Sequence, residues 1–78
     1  MDVQFSKMMM ADIVHTLQSA MAKNGIVNIP LLAEEIRQRH EIENIALEDI
    51  TAKLMAKAQL FNAAMEFDSR ISIPSAAE

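Results

Sequence analysis

The stretch Asn44–Asp68 constrains the fold more than any other part of this chain. It contains no Gly and no Pro, and it is rich in Ala, Leu, Met, Glu, Lys and Gln, the residues that lose least on becoming helical. At roughly 100° per residue, its apolar positions fall into two arcs on opposite sides of one helix. The first arc has the width of an ordinary core-facing stripe. Its members are Leu47, Ile50, Leu54, Ala58, Phe61 and Met65.

The second arc predicts an interface between copies of the chain. Its members are Ala52, Ala56, Leu60, Ala63 and Phe67. The neighbour that covers the first arc cannot also cover the second, and an uncovered apolar face of this kind marks a contact site. The alanines leave a shallow trough in which two helices approach closely. We therefore predict a homo-oligomer, with a dimer favoured; the alternative is that the second helix of the same chain covers this arc.

A first amphipathic helix is predicted over residues 6–24. Ser6 is a suitable N-cap, and Gly25, the only Gly in the chain, lies where a helix ends in a left-handed conformation. Residues 26–29 that follow are apolar and β-branched. They form a short connector that could be extended and pair with another segment.

A second helix is predicted over residues 29–40, with Asn28 as its cap and Pro30 in its first turn. The third and longest helix then spans residues 44–68, and Asn44 is its expected cap. The sequence thus predicts an all-α domain of three helices with a long C-terminal helix.

At 78 residues, the chain is predicted to be a single domain of small net stability, with a partly disordered tail over residues 69–78. Such domains usually gain stability from disulfides, metals or oligomerisation. There is no Cys, which excludes disulfides and thiolate zinc sites. His15 and His40 have no second His one helical turn away, so no metal or other cofactor is expected. Oligomerisation is the remaining source of stability.

The sequence offers little for catalysis. It has no Cys nucleophile and no G-x-S-x-G motif, and one Gly cannot build a phosphate-binding loop. Carboxylate pairs such as Glu34 and Glu35 are sequence neighbours that lie on different faces of a helix. We therefore expect a non-enzymatic interaction or regulatory protein.

The location expected from the sequence is the cytoplasm. The N-terminal segment carries Asp2 and Asp12 where a signal peptide would have a basic start and an uninterrupted apolar run. No apolar stretch is long enough to span a bilayer, so no membrane association is expected.

Residues 29–59 resemble a helix-turn-helix in the tri-helical or winged-helix sense. The segments IPLLAEEIRQRH and ALEDITAKLMAKA would be the two helices, with Ala33 at their contact and Ile50 at the buried position of the recognition helix. The resemblance implies a DNA-binding transcriptional regulator. The side chains that would contact nucleic acid are Arg37, Arg39, Lys53 and Lys57. The spacing of 17 positions from Ala33 to Ile50, a turn without Gly and a third helix that runs on all depart from the motif.

The distribution of charge argues against DNA binding. The net charge is −4, and residues 34–49 contain six acids and two bases, while the rest of the chain has five of each. The negative excess thus lies where a helix-turn-helix would meet phosphates, and DNA binding normally requires the opposite sign there. Self-association is therefore the leading prediction. A helix-turn-helix regulator is the alternative, and a hetero-complex with another protein is a third possibility.

Overall fold

A computed structural model describes residues 4–68 of the chain. Its elements, in order, are α1 (Lys7–Asn24), β1 (Ile26–Asn28), α2 (Ile29–Arg39), a 3-10 turn (Glu41–Glu43), α3 (Leu47–Leu60) and β2 (Ala64–Glu66). The described part is mostly helical, which confirms the predicted class in its coarse form. It also contains a two-stranded sheet that an all-α prediction does not include. The predicted tail over residues 69–78 lies outside the described residues.

The ends of α1 are set by the two residues that the sequence singled out. The Ser6 hydroxyl accepts a hydrogen bond from the backbone amide of Met9 at 3.0 Å. Gly25 follows the helix with a φ of 74°, and its amide donates to the carbonyl of Met21 at 2.9 Å. This left-handed backbone would strain a residue with a side chain. Because Gly25 has none, the chain can turn sharply into β1 here.

Helix α2 begins directly after β1. Asn28 is its N-cap, with the side-chain oxygen accepting from the amide of Leu31 at 3.2 Å, and Pro30 lies in the first turn. The helix ends at Arg39, close to the predicted end, and the 3-10 turn follows after His40. Asn44 was predicted to cap α3, and this prediction is wrong. Asn44 instead ends the 3-10 turn in a left-handed conformation with a φ of 56°.

Helix α3 is shorter than predicted. It spans Leu47–Leu60 instead of residues 44–68, and Ala46 is at the N-cap position with no side-chain hydrogen bond. Asn62 is left-handed, with a φ of 59°. The amide of Asn62 donates to Gln59, and the amide of Ala63 donates to Ala58 at 2.9 Å. These two bonds are those of a Schellman motif with Asn in the left-handed position, so the helix ends without Gly or Pro.

The chain beyond α3 returns to β1. β2 pairs with β1 in parallel, with Val27 opposite Met65 and Asn28 opposite Glu66. The Asn28 side-chain amide also donates to the backbone carbonyl of Asp68 at 2.9 Å. The predicted connector is thus extended, as the sequence allowed, and its partner strand comes from residues that were predicted to be helical.

One hydrophobic core joins the three helices and β1. Its fully buried side chains are Met9, Ile13, Leu17, Val27, Ile29, Ala33, Ile36, Ile50, Leu54 and Ala58. The middle of the predicted core stripe on α3 is therefore buried as expected. Leu47 at its start is 40 % exposed, and Phe61 and Met65 pack partly buried against the core from beyond the helix end.

Candidate functional site

The side of α3 that faces away from the core is apolar and exposed. Ala52, Ala56 and Leu60 follow one another at a spacing of four residues, so they share one helical face. All three are exposed, and Leu60 is 74 % exposed. Within residues 4–68, α2 does not cover them. We call these three residues the α3 outer face.

Two residues of the predicted interface do not belong to this face. Ala63 and Phe67 were expected to continue it, but both lie beyond the end of α3. Ala63 is partly buried against the core. Phe67 is 54 % exposed and follows β2. The predicted arc of five residues is therefore wrong in this part, because it assumed a helix that continues to Asp68.

The α3 outer face is bounded by exposed polar residues. Glu48 lies one helical turn before Ala52, and Gln59 lies beside Leu60. The apolar surface is thus narrow and about two turns long. A face of these dimensions can pack against one further helix.

The four basic residues of the helix-turn-helix interpretation are not gathered on one open surface. Arg37 donates to the carboxylate of Glu34 from two of its nitrogens. Arg39 is bound in the same way to Asp12, with both distances at 2.9 Å. The ammonium group of Lys53 lies 5.4 Å from the centre of the Phe5 ring. These three cations therefore already have partners within the chain; Lys57, the fourth, is half-buried.

A polar cluster joins α1 to the end of α2, and Asp12 is its centre. In addition to Arg39, the Asp12 carboxylate accepts from the Thr16 hydroxyl at 2.9 Å and lies 2.7 Å from Nε2 of His40. The pKa of Asp12 is lowered from 3.8 to about 2, chiefly by the hydrogen bonds from Arg39, with Thr16 and His40 adding to the effect against the opposing effect of burial.

The cluster continues from His40 to the start of α1. Nδ1 of His40 lies 3.5 Å from the Glu43 carboxylate, which accepts from the Ser6 hydroxyl at 2.8 Å. Sequence reasoning placed His40 at the end of the second helix and expected no metal there. It could not find this cluster, because the separation of 28 positions between Asp12 and His40 has no periodic signal.

The other predicted or possible sites carry less chemistry. His15 is exposed on α1, beside an open groove of about 420 Å³ between α1 and α2. Lys23 and Arg39 line this groove together with Asp12 and Glu35, so the two positive and two negative side chains balance. Among residues 4–68, no three His, Cys, Asp or Glu side chains are grouped to hold a metal ion.

Comparison with known proteins gives no match: no protein-family model, no curated protein and no solved structure is similar to this chain. None of the helices in the described range is both long and apolar enough to cross a membrane.

Proposed function

We propose that this chain is a non-enzymatic interaction protein that forms a homodimer through the α3 outer face. The observation that supports the proposal is that Ala52, Ala56 and Leu60 form a continuous apolar strip left open by the rest of the described chain. Burying one such leucine contributes roughly 1.5–3 kcal/mol. In a small domain, two symmetric burials of this size are a substantial gain in stability.

The charges around the face favour an antiparallel pair of α3 helices. A parallel pair would place the two Glu48 carboxylates side by side, and like charges in contact are unfavourable. In an antiparallel pair centred on Ala56, Leu60 of one copy lies over Ala52 of the other, and the reverse contact follows by symmetry. The alanines allow the helix axes to approach to about 8 Å, the lower end of the usual range.

A helix-turn-helix regulator remains the alternative proposal, and its support is the order of α2, a short turn and α3. A phosphate would have to displace a carboxylate from Arg37 and from Arg39 before either could bind it. The exposed side of α3 offers Glu48 and apolar side chains to the DNA. Binding to pooled genomic fragments that weakens steeply with salt would favour this alternative over the dimer.

Cysteine crosslinking tests the dimer directly, because the chain has no Cys of its own. We expect Ala56→Cys to form a disulfide-linked dimer under mild oxidation, since helices in close contact at this residue bring the two Cα atoms within the range of about 4.4–6.8 Å that a disulfide requires. Ala11→Cys, on the exposed side of α1, is the matched control and should stay monomeric. A mixture of Ala52→Cys and Leu60→Cys chains should crosslink to each other if the pair is antiparallel.

A second variant separates loss of the interface from loss of the fold. Ala56→Glu should reduce the mass in light scattering to that of one chain while helicity is retained, because Ala56 is exposed in the single chain. A mass that is unchanged by Ala56→Glu, together with equal crosslinking of Ala56→Cys and Ala11→Cys, would reject the α3 outer face as the interface.

A further inference from the structure

The most exposed large apolar side chain in the described structure is on the 3-10 turn. Ile42 is 98 % exposed. The turn itself is fixed, because the amide of Glu43 donates to the His40 carbonyl at 2.9 Å and the amide of Asn44 donates to the Glu41 carbonyl at 3.0 Å. An apolar side chain held in water by an ordered turn is already placed for binding.

The turn is also tied to the first helix. The Glu43 carboxylate accepts from the hydroxyl of Ser6, the residue that caps α1. Two positions further on, Met8 is 72 % exposed, and it lines an open groove of about 440 Å³ together with Ile42. We call this the Ile42 groove. Met adapts its shape to different partners, so the groove combines one fixed and one adaptable apolar wall.

The charge around the Ile42 groove is negative. Glu41 and Glu43 line it on either side of Ile42. Glu41 is exposed and forms no direct ion-pair contact within residues 4–68, although the Arg37 guanidinium on α2 is close enough to interact with it electrostatically. The only cation of the lining that is always charged is Arg39, whose guanidinium is bound to Asp12.

We propose that the Ile42 groove docks a cationic segment of another protein, an amphipathic helix that carries a bulky apolar side chain flanked by Lys or Arg. The apolar side chain would pack between Met8 and Ile42, and the flanking cations would face Glu41 and Glu43. Complementary charge of this kind selects partners and speeds association.

A second copy of this chain does not fit the same groove. A twofold contact through Ile42 would bring Glu41 and Glu43 of one copy against Glu41 and Glu43 of the other, and like charges across an interface are costly. The groove is also separate from the α3 outer face, so its occupant does not depend on the proposed homodimer. The chain would thus offer one surface to itself and another to a basic partner.

The experiment uses the full chain and a short labelled helical peptide with Leu on one face and Lys on the other, followed by fluorescence polarisation. The control peptide has Glu in place of every Lys. We expect the Lys peptide to bind and the Glu peptide not to bind. Ile42→Ser should weaken binding roughly tenfold, the loss expected for one apolar contact. Because Ile42 is almost fully exposed, this variant should keep its fold and its mass in light scattering.

Matched variants separate specific docking from general attraction to an acidic protein. Glu41→Gln and Gln59→Lys change the net charge equally, but only the first is in the groove. Glu41→Gln should weaken binding about threefold. Gln59→Lys and Leu60→Ser should leave binding unchanged. Equal effects of Glu41→Gln and Gln59→Lys, no effect of Ile42→Ser, or no binding of the Lys peptide would each overturn the proposal.

Discussion

Both sides of α3 are apolar, but one side is buried and the other is exposed. Ile50, Leu54 and Ala58 are spaced four residues apart and are fully buried against the other elements. Ala52, Ala56 and Leu60 have the same spacing on the other side, and all three are exposed. What separates the two faces is the size of the side chains and the packing of α1 and α2, which contact α3 and leave only the first of these faces buried.

The comparison teaches how a short chain can use one helix for two purposes. Large branched side chains fill the core, where shape complementarity provides most of the stability. Alanines on the other side cost little when they are left in water, and they permit close approach of a second helix. A face of this kind can be left in water or covered by a second helix. An interface that forms only after the chain has folded requires both properties.

The largest effect is expected on the buried side. Leu54→Ala should lower the free energy of unfolding by about 2–5 kcal/mol, since it removes a fully buried side chain and leaves a cavity. Urea denaturation followed by circular dichroism measures this change. In a chain of this size, such a loss is enough to unfold much of the population at room temperature. A loss below about 1 kcal/mol would mean that Leu54 is not part of a well-packed core.

An intermediate effect is expected at the polar cluster around Asp12, which links α1 to the end of α2 in addition to the hydrophobic core. Because the pKa of Asp12 is lowered in the folded chain, its stabilising effect is complete above its ordinary value of 3.8 and is lost as the pH falls toward about 2. Asp12→Asn should therefore destabilise the fold near neutral pH by about 1 kcal/mol, a value discounted because Arg39 is 45 % exposed.

The control for Asp12 is Glu41→Gln, which makes the same change in charge on an exposed turn. Thermal unfolding at neutral pH and at pH values between 4 and 2 should show that the wild-type chain and Glu41→Gln lose stability on acidification, and that Asp12→Asn loses less. Parallel curves for all three chains would show that Asp12 does not link folding to acid pH.

The smallest effect is expected on the outer side of α3. Leu60→Ala should change the stability of the single chain by no more than about 0.5 kcal/mol when it is measured at high dilution, because the side chain is 74 % exposed. At high concentration, the same variant should unfold at a lower temperature than the wild type, since it weakens the proposed dimer. A large loss at high dilution would place Leu60 in the core and remove the contrast between the two faces.

Local signals in the sequence predicted part of the fold well. Ser6, Gly25 and Asn28 act through hydrogen bonds and backbone angles within a few residues, and all three do what their positions indicate. The end of α3 has the same kind of signal in Asn62, but an Asn inside a run of good helix formers is weaker than Gly or Pro. Because the end of α3 was not predicted, the residues of β2 were also assigned to the helix.

The candidate site could be predicted only as far as periodicity reaches. Ala52, Ala56 and Leu60 share a face in any α-helix, and they are exposed together because no other part of residues 4–68 covers that face. Ala63 and Phe67 depended on the helix end and were misplaced. The cluster of His40 with Asp12 depends on how two helices dock, and the sequence of either helix alone carries no information about it.

The parallel pairing of β1 with β2 has a consequence for the order in which the chain is made and folds. In the sequence, β1 precedes α2 and β2 follows α3, so the hydrogen bonds between the two strands close a long loop. The loss of chain entropy on closing this loop has to be offset by helices that have already docked. During synthesis, β1 leaves the ribosome well before β2. Val27 therefore has no strand to pair with until β2 has also been made. We therefore expect the sheet to form last, as the step that distinguishes a chain completed through Glu66 from a shorter nascent one.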